Sequence, residues 1–406
     1  MTDRIHKHLD EGKIPISVFL DLSKAFDTLD HEILLTKLKY YGLNENALNW
    51  FQSYLSNRIQ YVEFDGCKSS YLPVTTGVPQ GSVLGPLLFI IYMNDIYCAS
   101  EKFNSILFAD DTHLLSTLCS FDMSINQNTD LSVLSKYINS ELQKIHTWLA
   151  INKLSLNVKK TKYMLFHHKR RNIENMIPQL QIDEYKLERV REFNFLGLLV
   201  DENLTWDSHI QKVSNKVSRI LGVMYRLKNY IPSHILLILY NTMIMPHLQY
   251  SIINWAHKSS RLHKLQKRGV RTATNSKYNA HTEGIFKRLN LLKLPDIYRN
   301  SILKFYYKYK HNKVPDYFKS TSFITIQSHE YSTRQRGSVR NPVTRTSHAQ
   351  QSLRFILSNL IQSTPAHTLQ KVYTHSLQGF ASYIKRTTIA NYQLECSIPN
   401  CYICQT

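Results

Sequence analysis

Ile16-Ser17-Val18-Phe19-Leu20-Asp21-Leu22 is the stretch on which the reading of this 406-residue chain turns. It is a compact apolar run of β type, and it carries an acid where a core strand would end. Working outward, Ser105–Phe108 and Thr112–Ser116 are apolar strands flanking Ala109-Asp110-Asp111. They read as a hairpin with two acids at its tip. Strands this apolar belong in a core, so the acids are presented at its edge. Taken alone, an Asp-Asp pair at a hairpin tip reads as a solvated turn, and Asp21 as the N-cap of the next element. Adjacent carboxylates repel by roughly 1 to 4 kcal/mol at surface-like dielectrics, a cost that a bound cation removes. Oxygen ligands without Cys or His nearby favour Mg²⁺ or Mn²⁺ over zinc. Two such ions about 4 Å apart suit in-line displacement at phosphorus.

The spacing around these acids predicts an α+β chain. Met1–Lys13 has helical spacing, Asp30–Tyr41 is a helix stopped at Gly42, and Asn46–Leu55 is another. Gln60–Phe64 and Tyr71–Thr75 read as two strands joined through Asp65-Gly66. Gly77-Val78-Pro79-Gln80-Gly81 cannot be regular structure. Pro86–Tyr97 reads as a buried helix, Leu131–Leu149 as an amphipathic one, and Phe195–Val200 as a strand. From about residue 208 the pattern is helical, broken near Pro232 and Pro246. Residues 258–315 are basic and helical with interleaved aromatics. Beyond about 320 the text is polar with little periodicity up to about 350.

Charge is unevenly placed. Residues 1–200 carry 21 Lys+Arg against 22 Asp+Glu, and residues 201–406 carry 29 against 8. All of the +20 excess therefore sits in the second half, which points to a polyanionic partner. Nucleic acid fits better than a membrane. The longest apolar runs fall short of the ~20 residues a spanning helix needs, and no signal-peptide core is visible at the N-terminus. Nucleus or cytoplasm is expected rather than secretion, and protein partners are not legible. Cys396, Cys401 and Cys404 are spaced weakly for zinc.

Five segments in order carry a family resemblance. Phe19-Leu20-Asp21-Leu22-Ser23-Lys24-Ala25-Phe26-Asp27 resembles the first catalytic motif of non-LTR retrotransposon reverse transcriptases of the jockey/CR1 kind. Gly77–Pro86 resembles the second and Phe108-Ala109-Asp110-Asp111 the third. Leu156-Asn157 with Lys159–Lys162 is similar to the fourth, and Phe195-Leu196-Gly197 to the primer-gripping fifth. The resemblance implies that Asp21, Asp110 and Asp111 bind two Mg²⁺ (or Mn²⁺) ions, with the Leu22 carbonyl assisting. It implies that Phe26 blocks a 2′-hydroxyl, and that Gln80 and Gly81 pack near the incoming nucleotide and template. Gly77 and Gly81 would allow close chain approach. Lys160 would neutralise charge on the leaving pyrophosphate, and Asp27, Asp30 and His31 read as local capping residues. The implied partners are an RNA template, a DNA primer and deoxynucleoside triphosphates.

The implied architecture is a polymerase palm, a small antiparallel sheet backed by helices, followed by an all-helical thumb and connection. The expected divisions are a palm with partial fingers over residues 1–203, a basic helical thumb over 204–320 and a polar extension over 321–406. Little of the family's fingers remains upstream of Ile5, so Met1 reads as an internal methionine of a longer frame. Two outcomes stay open: an RNA-directed DNA polymerase domain, weak when alone, or a catalytically inactive truncated remnant that only binds nucleic acid. An RNA-templated RNA polymerase or an intron maturase fits the first and third motifs poorly.

Overall fold

The computed structural model describes residues 1–117, 131–320, 323–326 and 339–394. Helix and sheet are mixed, in two compact units. The first comprises Glu11–Leu196, and the second Gly197–Thr406 with the helix Thr2–Asp10.

The first unit is built on a five-stranded sheet. Its strands are β1 (Pro15–Leu20), β2 (Asn104–Phe108), β3 (Asp111–Thr117), β4 (Lys162–Leu165) and β5 (Glu188–Arg189), in the order β5-β4-β1-β3-β2. β1 is central and buried along its whole length, as its apolar text, interrupted only by Ser17, requires. Ile16, Val18 and Leu20 join Leu114, Tyr163 and Leu165 in the core. Three helices close that core: α1 (His31–Tyr40), α2 (Leu84–Met93) and α3 (Leu131–Ile151). Asp30 caps α1 by accepting the Ile33 N–H at 3.0 Å. Phe19, on the opposite face of β1, stacks on Phe193 at 4.1 Å and lies against His113 and Phe195.

Three expectations are corrected here. The sheet is not purely antiparallel, because β5 runs parallel to β4. Gln60–Phe64 and Tyr71–Thr75 do not form one ladder. Arg58–Gln60 pairs with Leu72–Val74, and Glu63–Phe64 with Cys67–Lys68 across Asp65-Gly66. The expected strand Phe195–Val200 is broken, because Leu196 and Gly197 adopt φ of 48° and 80°. Positive φ turns the chain and divides the run into Glu192–Phe195 and Leu198–Asp201.

The second unit is dominated by helices, among them α4 (Asp207–Leu227), α5 (Ser260–Ala273), α6 (Leu294–Lys310), α7 (Leu353–Ser363) and α8 (Leu377–Ala390). It is not all-helical, since Thr325–Ile326 pairs with Val339–Arg340. Gly269 of α5 lets the buried Tyr240 ring close in, and a Cβ there would lie 3.0 Å from it. The buried Gln266 side chain fastens the start of α6 by accepting the Leu294 N–H at 2.7 Å. A core of Leu303, Tyr307, Leu357 and Phe380 joins α6, α7 and α8. The three cysteines Cys396, Cys401 and Cys404 lie outside the described residues. Among the described residues no helix is long and apolar enough to cross a membrane.

Candidate active site

Strand register brings the acids together. β1 and β3 are antiparallel, with Leu20 opposite Thr112 and Phe19 opposite His113. One step further along the same register sets Asp21 opposite Asp111. Side chains opposite each other lie on one face, so both carboxylates stand at one sheet edge. Asp110 sits at the tip of the hairpin, where Phe108 already pairs with Asp111. So tight a turn needs positive φ, and Ala109 adopts 52°. For a residue with a Cβ that costs about 1–2 kcal/mol.

On the other flank β4 runs antiparallel to β1, with Phe19 opposite Lys162. The same extension points Lys160 at Asp21, and its Nζ lies 3.7 Å from Asp21 Oδ2. The strand end is stitched to the fourth segment. The Asn157 N–H donates to the Asp21 carbonyl and the Ser23 N–H to the Ser155 carbonyl, both at 2.8 Å. Leu22 bridges Leu156.

Partial desolvation, then the neighbouring Asp110 and Asp21 carboxylates, hold the Asp111 carboxyl above the usual carboxylate range. That electrostatic conflict is what a divalent cation relieves, and the donors are hard oxygens, so the residues fit Mg²⁺ or Mn²⁺. Among the described residues no three acidic, His or Cys side chains already converge as a closed cage. Beside them opens a cleft of about 380 Å³, lined by Asp21, Asp111, Lys159, Lys160, Phe193 and Phe195 among others.

The second segment docks on the loop after β1. The Gly77 N–H donates to the Leu29 carbonyl at 2.7 Å and the Val78 N–H to the Phe26 carbonyl at 2.8 Å. A Cβ on Gly77 would stand 2.7 Å from the Asp27 backbone, and φ is +84°. Close approach therefore demands glycine there. At Gly81 the demand is conformational alone: φ is +81° and an added Cβ meets nothing within 4 Å. Gln80 Nε2 donates to Asp27 Oδ1 at 2.8 Å, and His31 Nε2 lies 2.8 Å from the Gly77 carbonyl. Phe26 is half-buried, its ring 4.6 Å from that of Phe89. Of these residues, Asp27, Gly77, Val78 and Gln80 line a second cleft of about 700 Å³, which also takes in Lys24 and Arg58.

Asp21, Asp110, Asp111 and Lys160 thus gather at one sheet edge. Leu22, Phe26, Gln80 and Gly81 belong to the two segments docked beside it, and Phe195 covers the aromatic side of β1. Leu196 and Gly197 form the turn directly after Phe195. Sequence reasoning missed Phe193 and His113. The alternation of Phe193 with Phe195 was the available signal for the first. The second is a buried histidine whose ring lies 2.9 Å from the Ser17 hydroxyl, a contact only the register reveals.

Comparison with known proteins bears on this arrangement. A model of the reverse transcriptase (RNA-dependent DNA polymerase) family matches residues 2–200. The RNA-directed DNA polymerase from mobile element jockey of Drosophila melanogaster is 26% identical over 312 residues, 73% of this chain and 32% of that protein. A probable RNA-directed DNA polymerase from transposon X-element of the same fly is 25% identical over 293 residues, 68% of this chain and 30% of the relative. This chain therefore spans about a third of such relatives. Among solved structures, telomerase from Candida albicans, in complex with a fragment of telomeric RNA, aligns with TM-score 0.35 at 12% identity. The alignment covers 68% of this chain and 53% of that one.

Proposed function

We propose, for a chain whose residues 2–200 are a reverse transcriptase domain of the non-LTR retrotransposon kind, that it catalyses RNA-directed DNA synthesis at the Asp21–Asp110–Asp111 edge. Reverse transcriptases generally use divalent metal ions. The reading is supported most by the β1–β3 register, whose last pair is Leu20 with Thr112, and by the cleft that Asp21 and Asp111 both line just beyond it.

Asp21, Asp110 and Asp111 would hold two Mg²⁺ or Mn²⁺ ions, with the Leu22 carbonyl as a further oxygen. Bound there, the ions lower the pKa of the attacking 3′-hydroxyl and neutralise the triphosphate. Lys160, largely exposed and 3.7 Å from Asp21 Oδ2, would swing toward the leaving pyrophosphate. Phe26, whose ring packs on Phe89, would exclude a 2′-hydroxyl and so select deoxynucleotides. Gln80, oriented by Asp27, and the Gly81 backbone would line the nucleotide and template side. Phe195, Leu196 and Gly197 would position the primer end. In this reading the first unit is a palm with partial fingers, and the helical residues from about 204 are thumb and connection. The partners are then an RNA template, a DNA primer and deoxynucleoside triphosphates.

Primer extension on an RNA template with deoxynucleotides and Mg²⁺ tests the proposal. Slow synthesis is expected from this chain, and background alone from Asp110→Asn/Asp111→Asn. Synthesis equal in both proteins would exclude the site.

A further inference from the structure

Ser17 on β1 and His113 on β3 are polar side chains inside an apolar layer, and each is fully buried, at 0% exposure. His113 Nε2 lies 2.9 Å from Ser17 Oγ. The bond runs diagonally across the ladder, since Ser17 stands opposite Leu115 and Phe19 opposite His113. The His113 ring also packs on Phe19 and Phe195, with centroids 5.1 and 5.3 Å away. Two other buried hydroxyls of β3, Thr112 Oγ1 and Ser116 Oγ, have no partner among the described residues.

The usual devices leave the register of β1 against β3 open. No turn joins these strands, because α1, α2 and β2 lie between them in the chain. Apolar alternation is silent too, because β1 and Thr112–Ser116 are buried at every position. A slip by one residue would put Ser17 and His113 on opposite faces of the sheet. A slip by two that sets Val18 opposite Ser116 would leave them four positions apart, and would part Asp21 from Asp111. Both slips take a buried imidazole away from its hydroxyl, and a buried polar group that loses its partner is costly. A slip by two the other way sets Asp111 against the buried Phe19, where a carboxylate is poorly placed. Buried polar pairs are known devices for specifying register.

We propose that Ser17 and His113 are positioning residues, a buried pair that holds β1 and β3 in the register that keeps Asp21 beside Asp111. The pair touches neither metal nor substrate. Its part in the reaction rests on the reading of those acids as the metal site.

The test uses the full chain and removes both polar groups together, as Ser17→Ala/His113→Leu, so that no imidazole is stranded. Register is read from cysteine pairs oxidised during refolding and identified by mass spectrometry. Val18→Cys/Leu114→Cys reports the observed register, and Val18→Cys/Ser116→Cys the slipped one. Diagonal neighbours stand about 7–8 Å apart, beyond the reach of a disulfide. With Ser17 and His113 in place, the first bridge is expected to form and the second to stay at background. In Ser17→Ala/His113→Leu the second is expected to appear. Mn²⁺ affinity, read by electron paramagnetic resonance, should fall at least ~3-fold as the fraction of chains in register falls. Ser17→Ala alone should also lose Mn²⁺ affinity, and Ser17→Thr, which keeps the hydroxyl, should recover most of it. Wild-type bridging and Mn²⁺ affinity in Ser17→Ala/His113→Leu would overturn the proposal and leave the metal site standing. If that variant does not fold, equal Mn²⁺ affinity in Ser17→Ala and Ser17→Thr overturns it. Mn²⁺ binding indifferent to Asp21→Asn and Asp111→Asn, with bridging still governed by Ser17 and His113, would remove the metal reading and the pair's part in the reaction with it.

Discussion

Replacing Asp111 by Asn removes one of three negative charges that crowd a single strand end. Desolvation, Asp110 and Asp21 raise its carboxyl above the ordinary value. The native chain therefore holds that proton more tightly than the unfolded chain. Without metal, the stability contributed by this group falls as pH rises from the ordinary carboxylate value through the raised one. Asp111→Asn is accordingly expected to melt no lower than wild type in EDTA at pH 7, and to lose the stabilisation that millimolar Mn²⁺ gives wild type. Differential scanning fluorimetry reads both effects, and a large drop in EDTA would contradict the electrostatic account. The glycines of the second segment divide in the same way. Gly77→Ala meets the Asp27 backbone as well as an unfavourable φ, whereas Gly81→Ala meets only the φ. Urea unfolding should show about 1–2 kcal/mol lost at Gly81 and clearly more at Gly77.

Among the elements, the helices of the C-terminal unit carry their own pH response. Burial, helped by nearby lysines, pushes His209, His257 and His263 each down to about 4. They are neutral when folded and take up protons near 6.5 when unfolded. Stability therefore holds above about pH 6.5 and is lost as pH falls toward 4. Melting at pH 7, 6 and 5 should show a progressive fall, shallower in His209→Gln, and a flat profile would contradict the burial of these rings. Element by element, the sequence is most legible where one rule acts alone. The apolar run before Asp21 became the central strand, and Asp30 became a helix cap. It is least legible where backbone conformation overrides pattern. Leu196 carries no signal for positive φ, so an apolar run hid a turn, although Gly197 beside it was a visible one. The helices after residue 350 were readable in the spacing of Leu353, Ile356, Leu357, Leu360 and Ile361. The polar text around them masked that period.

At the scale of the whole molecule, the division of charge in the sequence parallels a division of labour. A balanced half supplies the acids and their sheet, and the other half carries 29 basic against 8 acidic residues, a surface suited to a polyanion. The chemistry of the site was legible because three acids were embedded in segments of distinctive text. Their convergence was implied by the family resemblance alone, since it depends on a register that one strand does not specify. Phe193 and the cover over Phe19 belong to that same hidden layer. The most direct test of convergence is a Mn²⁺ titration, read by electron paramagnetic resonance, with primer, RNA template and a deoxynucleoside triphosphate present. The account predicts two bound ions per wild-type chain, with Asp21→Asn and Asp111→Asn each losing Mn²⁺ affinity at least ~10-fold. Equal Mn²⁺ binding by wild type and both variants would contradict it.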